Sequence, residues 1–318
     1  MTLLQERNIY KPFKYPWAYI AYKKQNQMHW MPEEINLAND LKDFRQDLNE
    51  DEKTLLVNIF RFFTQMDVDV AGGYCSHFLP NIKVPEIRMA MSAFANMEAI
   101  HMDAYSLLLE TLEFDASIYS DFLQIKEMYE KHEYLCQCNT ETPFELAKTI
   151  AIYSVLTEGV QLFSSFAILL NFSRYNKMKG MSQVVTWSVR DESLHVETMS
   201  QVFNTLMDEN PGLWNDSMQN CIHEAAQRII NLEEKFIDVC FEQTNIKGIT
   251  KEEVKEYVRY IADMRLQGIR VKPLFNQNDH PLDWLTEILN SVEHTNFFEN
   301  RATEYAKAST SGQWTDIF

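Results

Sequence analysis

The 318-residue chain contains little that would interrupt a helix: 8 glycines and 9 prolines, with no proline between Glu86 and Thr142 or between Phe144 and Asn210. Gly and Pro are the residues that most disfavour helix interiors, so their scarcity predicts long helices. Basic residues are also few. Only 29 Lys and Arg stand against 46 Asp and Glu, a formal charge of −17. That balance argues against a nucleic-acid face, which needs clustered cations to meet phosphates. Neither a G-x-x-x-x-G-K-[ST] loop nor a G-x-G-x-x-G turn occurs, so the phosphate cradles that a sequence can reveal are missing. The five cysteines, Cys75, Cys136, Cys138, Cys221 and Cys240, are an odd number without a C-x-x-C. This fits free thiols in a reducing compartment. The C-x-C of Cys136 and Cys138 has no second pair to complete a zinc site. The N-terminus shows no basic stretch leading into an apolar run, so no signal peptide is expected and a cytoplasmic location is.

What is present is core material: 46% hydrophobic residues, including 20 Phe, 14 Tyr and 15 Met. The Pro- and aromatic-rich residues 1–32 read as an ordered arm draped over a body rather than as a helix. Asn49 with Glu52 forms an N-cap signal. Leu55, Leu56, Ile59, Phe62, Phe63, Met66 and Val70 then keep a 3.6-residue period, predicting a helix to about residue 78. Pro85 opens the next, through residue 110, and a shorter helix is expected at 119–133. Thr142, Pro143 and Glu145 combine a cap, an N1 proline and an N3 acid, which start a helix over 143–171. Further helices are expected at 179–207, 215–243 and 251–267, the last capped by Thr250 with Glu253. Apolar periodicity fades at the C-terminal end, so the chain divides into a helical domain, 1–302, and a mobile tail, 303–318.

The apolar run TIAIYSVLTEGVQLFSSFAILLN is near the length of a membrane span. Glu158 lies at its centre with Ser154, Thr157, Gln161, Ser164 and Ser165 around it, and a lone carboxylate is costly in lipid. A buried helix of a soluble bundle, with no membrane, is the better reading.

Of eight histidines, two have a glutamate three residues before them: Glu98–His101 and Glu192–His195. Residues three apart share a helix face, so each pair can present a carboxylate and an imidazole to one point. Two such pairs, with a carboxylate from each of two further helices, describe the ferritin-like dimetal proteins. Glu158 is the only charged residue of its apolar run, and a buried carboxylate needs a partner. Asp67 lies on the apolar stripe of its helix and is preferred to Asp69. The expected fold is therefore an all-α, ferritin-like helical bundle around a dimetal-carboxylate site. Carboxylate and imidazole ligands without thiolate suit iron or manganese. Tyr105, four after His101 and seven after Glu98, falls on the same stripe beside the metals, where a phenol could be oxidised.

Together, HWMPEEI at 29–35, QMD at 65–67, MEAIHMDAY at 97–105, TEG at 157–159, RDESLH at 190–195 and the tail that begins NFFENRATEY resemble the small, radical-generating subunit of class I ribonucleotide reductase. The resemblance runs over nearly the whole chain. It implies that Asp67, Glu98, His101, Glu158, Glu192 and His195 are the six ligands of two metal ions. Fe/Fe is the first expectation, with Mn/Fe and Mn/Mn as alternatives. Tyr105 matches the tyrosine that holds the stable radical, while Trp30 and Asp191 match residues that link His101 to the protein surface. Asp191 also lies about 100° around the helix from Glu192, where it can orient a histidine. Tyr305 matches the tail tyrosine that relays the radical between subunits, and Trp314, Ile317 and Phe318 look like anchors for a groove on the large catalytic subunit. A homodimer that reacts with dioxygen or a reduced oxygen species is implied. Leu162 stands where many members have phenylalanine. The pairing of an aspartate first ligand with Tyr105 differs from the branch with glutamate and phenylalanine, and the three retained ligand glutamates argue against a metal-free branch.

Overall fold

The computed structural model describes residues 2–242 and 244–289, and among these there is no β-strand. Tyr305, Trp314, Ile317, Phe318 and the expected boundary at 302/303 lie outside the described residues. The chain divides between Pro281 and Leu282 into two units. Of the second, a short helix at 283–289 is described.

The first unit is a succession of helices: α1 (Pro16–Gln27), α2 (Ala38–Lys42), α3 (Glu50–Gly73), α4 (Leu79–Asn81), α5 (Pro85–Thr111), α6 (Lys126–Cys136), α7 (Pro143–Ile150), α8 (Leu162–Asn171), α9 (Lys179–Glu209), α10 (Asp216–Cys240) and α11 (Lys251–Gly268). The starts follow the capping chemistry read from the sequence. At α3, the Asn49 side chain accepts from the Glu52 amide at 2.9 Å and the Glu52 carboxylate accepts from the Asn49 amide at 2.9 Å. The Thr142 hydroxyl accepts from the Glu145 amide at α7, and Thr250 with Glu253 closes the same box at α11. Each such cap satisfies amides that the first turn leaves without a helical partner.

Two expectations are corrected. The N-terminal arm is not wholly irregular, because Pro16 takes the first helical position of α1, where its missing N–H costs nothing, and no Gly or Pro follows before Gln27. The helix expected at 119–133 begins only at Lys126. Two 3₁₀ turns, Ala116–Tyr119 and Asp121–Gln124, precede it and bury Ile118 and Phe122.

Three features position the site. α7 and α8 are joined by a π-helical stretch, Ala151–Gln161, in one helical run over 143–171. A second π-helical stretch, Tyr74–Phe78, continues α3. Such widened turns concentrate at functional sites. The apolar window of the 143–171 run is long enough to cross a membrane, yet it is entirely buried within the protein. Finally, α9 begins on α2: the buried Asp40 carboxylate accepts from the amides of Gly180 and Met181 at 2.9 and 2.8 Å. A Cβ at Gly180 would stand 2.6 Å from Asp40 Oδ2 and 2.8 Å from the Asn36 carbonyl oxygen, so this approach requires glycine.

Candidate metal centre

Four helical segments bring their acidic and imidazole groups to one buried place. α3 supplies Asp67, α5 supplies Glu98 and His101, the π-helical stretch supplies Glu158, and α9 supplies Glu192 and His195; none is more than 1% exposed. Two groups of potential ligand atoms result, each within 4.8 Å of one another: Asp67, Glu98, His101 and Glu192, then Glu98, Glu158, Glu192 and His195. Glu98 and Glu192 belong to both, as bridging carboxylates would. Asp69 turns away, with one oxygen 2.8 Å from His132 Nδ1 and the other accepting from Gln65.

Both imidazoles aim Nδ1 at the carboxylates. His101 Nδ1 is 3.2 Å from Glu192 and 3.5 Å from Glu98; His195 Nδ1 is 2.9 Å from Glu98 and 3.3 Å from Glu192. Buried oxygens of Asp67, Glu98, Glu158 and Glu192, with both Nδ1 atoms, have no hydrogen-bond partner. Buried polar atoms are normally paired, and a concentration of unpaired ones calls for an ion. Electrostatics agrees. Burial, then the charge of Glu98, pushes the Asp67 carboxyl well above its usual range, and burial with Glu192 and Glu98 does the same to Glu158. Burial works against a charged His195, but Glu192 and Glu98 outweigh it and push the imidazole up to about 10. Protons would thus occupy the cluster where cations are lacking. Four ionised carboxylates are balanced by two divalent cations, and the donor set of oxygen and imidazole suits iron or manganese. The residues fit a metal pair.

The outer nitrogens differ in their partners. His101 Nε2 lies 3.4 Å from Asp191 Oδ2, which also accepts from the Trp30 indole at 2.8 Å. Burial would raise Asp191, but His101 and Arg190 hold its carboxyl below the usual range. The ion pair with Arg190, 3.3 Å away, therefore coexists with the link to His101 rather than replacing it. The Trp30 ring stacks on His101 at 6.0 Å and meets Trp187 at 5.2 Å. His195 Nε2 lies 3.2 Å from Gln25 Oε1, and the same amide donates to Asp191 Oδ1 at 3.2 Å. The sequence reading missed Gln25, because α1 had been read as irregular and no face could be assigned to it.

Tyr105 is buried with its ring 4.5 Å from Phe63, and its hydroxyl donates to Ser188 Oγ at 2.8 Å. Burial and the nearby Asp67 raise the phenol well above its usual range, which keeps it protonated. A second buried tyrosine, Tyr74, donates to Glu158 Oε2 at 3.0 Å. It too escaped the sequence reading, although it follows Asp67 by seven residues, the spacing of Tyr105 after Glu98. Leu162 is buried at the start of α8.

Comparison with known proteins places this arrangement in context. Residues 7–281 match a family model described as ribonucleotide reductase, small chain. The chain is 39% identical to the probable ribonucleoside-diphosphate reductase small subunit 376L of Invertebrate iridescent virus 6, over 100% of this chain and 99% of that one. Among solved structures, the ribonucleotide reductase R2 subunit from Clostridium botulinum matches with TM-score 0.84 at 21% identity, covering 90% of this chain and 93% of that one. The dimanganese(II)-NrdF of Streptococcus sanguinis matches with TM-score 0.78 at 20% identity, covering 88% and 97% respectively.

Proposed function

The chain belongs to the ribonucleotide reductase small-chain family as the small subunit of a class I ribonucleoside-diphosphate reductase, and from that premise we propose that Asp67, Glu98, His101, Glu158, Glu192 and His195 hold two metal ions beside an oxidisable Tyr105. The observation that carries the reading is the convergence of unpartnered ligand atoms from all six residues. When bound, the metal pair supplies oxidising equivalents drawn from dioxygen or a reduced oxygen species. Iron at both positions is the first expectation; Mn/Fe and Mn/Mn are the alternatives that metal analysis separates.

The chain's own residues do the rest. Glu98 and Glu192, which belong to both groups of ligand atoms, would be shared by the two positions, while His101 and His195 would offer Nδ1 because their Nε2 atoms are held from outside. The electron and hydroxyl proton of Tyr105 would go to the oxygen-derived oxidant, which ends as water, and the Phe63 ring packed on the phenol keeps bulk water from it. Trp30, Asp191 and His101 form a hydrogen-bonded link from the cluster toward the surface. The tail then continues it: Tyr305 relays the oxidation, and Trp314, Ile317 and Phe318 seat the tail in a groove of the large catalytic subunit, where ribonucleotides become deoxyribonucleotides. The working unit is a homodimer.

Metal analysis combined with electron paramagnetic resonance tests the centre. Two metal ions per chain and a tyrosyl signal are expected, with the signal lost in Tyr105→Phe. A tyrosyl signal that persists in that variant removes Tyr105 from its role. For the tail, deletion of residues 303–318 is expected to leave the signal and abolish ribonucleotide reduction with a matched large subunit; retained turnover would refute the docking role.

A further inference from the structure

The centre is flanked by two buried phenols rather than one. Tyr105 has no direct hydrogen bond to any of the six candidate ligands; its hydroxyl is spent on Ser188, which passes its own proton to the Val184 carbonyl at 3.1 Å. Tyr74 instead donates straight to a ligand carboxylate, Glu158 Oε2, at 3.0 Å. Neither Tyr74 nor Glu158 is exposed at all. The phenol ring is fixed by Phe78 and Phe94, at 5.6 and 6.1 Å, and stands edge-on to His195 at 6.2 Å. The hydroxyl donates to the carboxylate rather than accepting from it. Of the two oxygens of Glu158, only Oε1 is left without a partner.

We propose that Tyr74 is a positioning residue that restricts Glu158 to one ligating oxygen, Oε1, and so makes the Glu158–His195 position the more open of the two. This rests on the dimetal reading above. A hydrogen bond from a neutral donor to a buried carboxylate withdraws electron density from the accepting oxygen and fixes its direction, which makes that oxygen the poorer ligand and disfavours a contact of both oxygens with one cation. Tyr74 itself opens the π-helical stretch Tyr74–Phe78. α3 widens at Tyr74, two turns beyond Asp67, and the ring lies over the second position rather than the first. Glu158 comes from the other π-helical stretch, so both halves of this contact sit on widened turns. At the Asp67–His101 position an Asp67 oxygen has no partner, and the nearby phenol is turned to Ser188.

The test uses the full metal-free chain titrated with Mn(II) alone, with bound and free ion read by electron paramagnetic resonance. Tyr74→Phe removes one oxygen atom and keeps the packed ring. The wild type is expected to take two ions in separable steps. In Tyr74→Phe the second step is expected to tighten by about tenfold, the scale of one hydrogen bond to a charged group. The bound-manganese spectrum should change as Glu158 gains a second contact. An unchanged spectrum with an unchanged or weakened second step overturns the role of Tyr74. Glu158→Gln separates this from failure of the underlying reading. Loss of the second ion there, with Tyr74→Phe indistinguishable from wild type, sinks only the role of Tyr74, whereas two ions retained in Glu158→Gln would refute the ligand assignment and the inference together.

Discussion

The two Glu-x-x-His pairs are the same motif in sequence, yet the protein surrounds them differently. On the His101 side the outer nitrogen faces the carboxylate of Asp191, and beyond it lie the indoles of Trp30 and of the half-buried Trp187. On the His195 side the outer nitrogen faces the neutral amide of Gln25, and the ring is closed in by Phe94 at 4.3 Å and by Tyr74. A charged acceptor makes a histidine a stronger ligand than a neutral one does, and on the His101 side that acceptor also holds the Trp30 indole. The lesson is that one i,i+3 motif, used twice, can be given two different outer environments by the rest of the fold.

The largest effect should come from removing what the two sides share. Glu192 offers oxygens to both ligand groups and lies 3.2 and 3.3 Å from the two histidine Nδ1 atoms. Glu192→Ala is expected to abolish stoichiometric binding at both positions and with it all turnover, while the helical fold persists. Metal analysis and circular dichroism check this. If one position survived at full affinity, Glu192 would belong to a single side and the shared bridge would be wrong.

A pair of variants sharpens the difference between the sides. Asp191→Ala removes the acceptor of His101, Trp30, Gln25 and Arg190 together, and loss of such an outer partner typically costs about 10- to 100-fold in metal affinity or activity. Gln25→Leu removes a neutral partner of His195, so its cost should fall at or below the lower end of that range and be larger at the second position than at the first, which it reaches only through its hydrogen bond to Asp191. Turnover with a large subunit should drop further in Asp191→Ala than its metal content does, because the Trp30 link is cut as well. Titration of both variants decides the matter. Equal losses at the two positions would mean that the nature of the outer partner carries no weight.

Much of this was legible in the residue order, for identifiable reasons. The candidate ligands on α5 and α9 are visible through i,i+3 spacing, and Glu158 through being the one charge in an apolar run. The helix starts at Glu50, Pro143 and Lys251 followed from capping chemistry, which is local. What was not legible depends on backbone geometry or on distant packing. A 3.6-residue period cannot announce the π-helical turns that carry Tyr74 and Glu158, nor can it show that Asp40, some 140 residues earlier in the chain, caps α9. Gln25 was hidden because proline-rich sequence reads as irregular, although Pro16 in fact begins a helix.

The smallest effect tests the two phenols against each other. Ser188 accepts from Tyr105 and donates to the Val184 carbonyl, so Ser188→Ala leaves a buried phenol without its acceptor. The stability cost should be about 1 to 2 kcal/mol, that of one buried neutral hydrogen bond. Metal affinity should be unchanged at both positions, since the Ser188 hydroxyl is bonded to Tyr105 and the Val184 carbonyl rather than to a candidate ligand. Because the serine sets the orientation and polarity around the phenol oxygen, the tyrosyl resonance should shift in its g-values in this variant and remain in place in Tyr74→Phe. A resonance that ignores Ser188 and responds to Tyr74 would reverse the roles of the two sides, making the phenol on Glu158 the oxidised one.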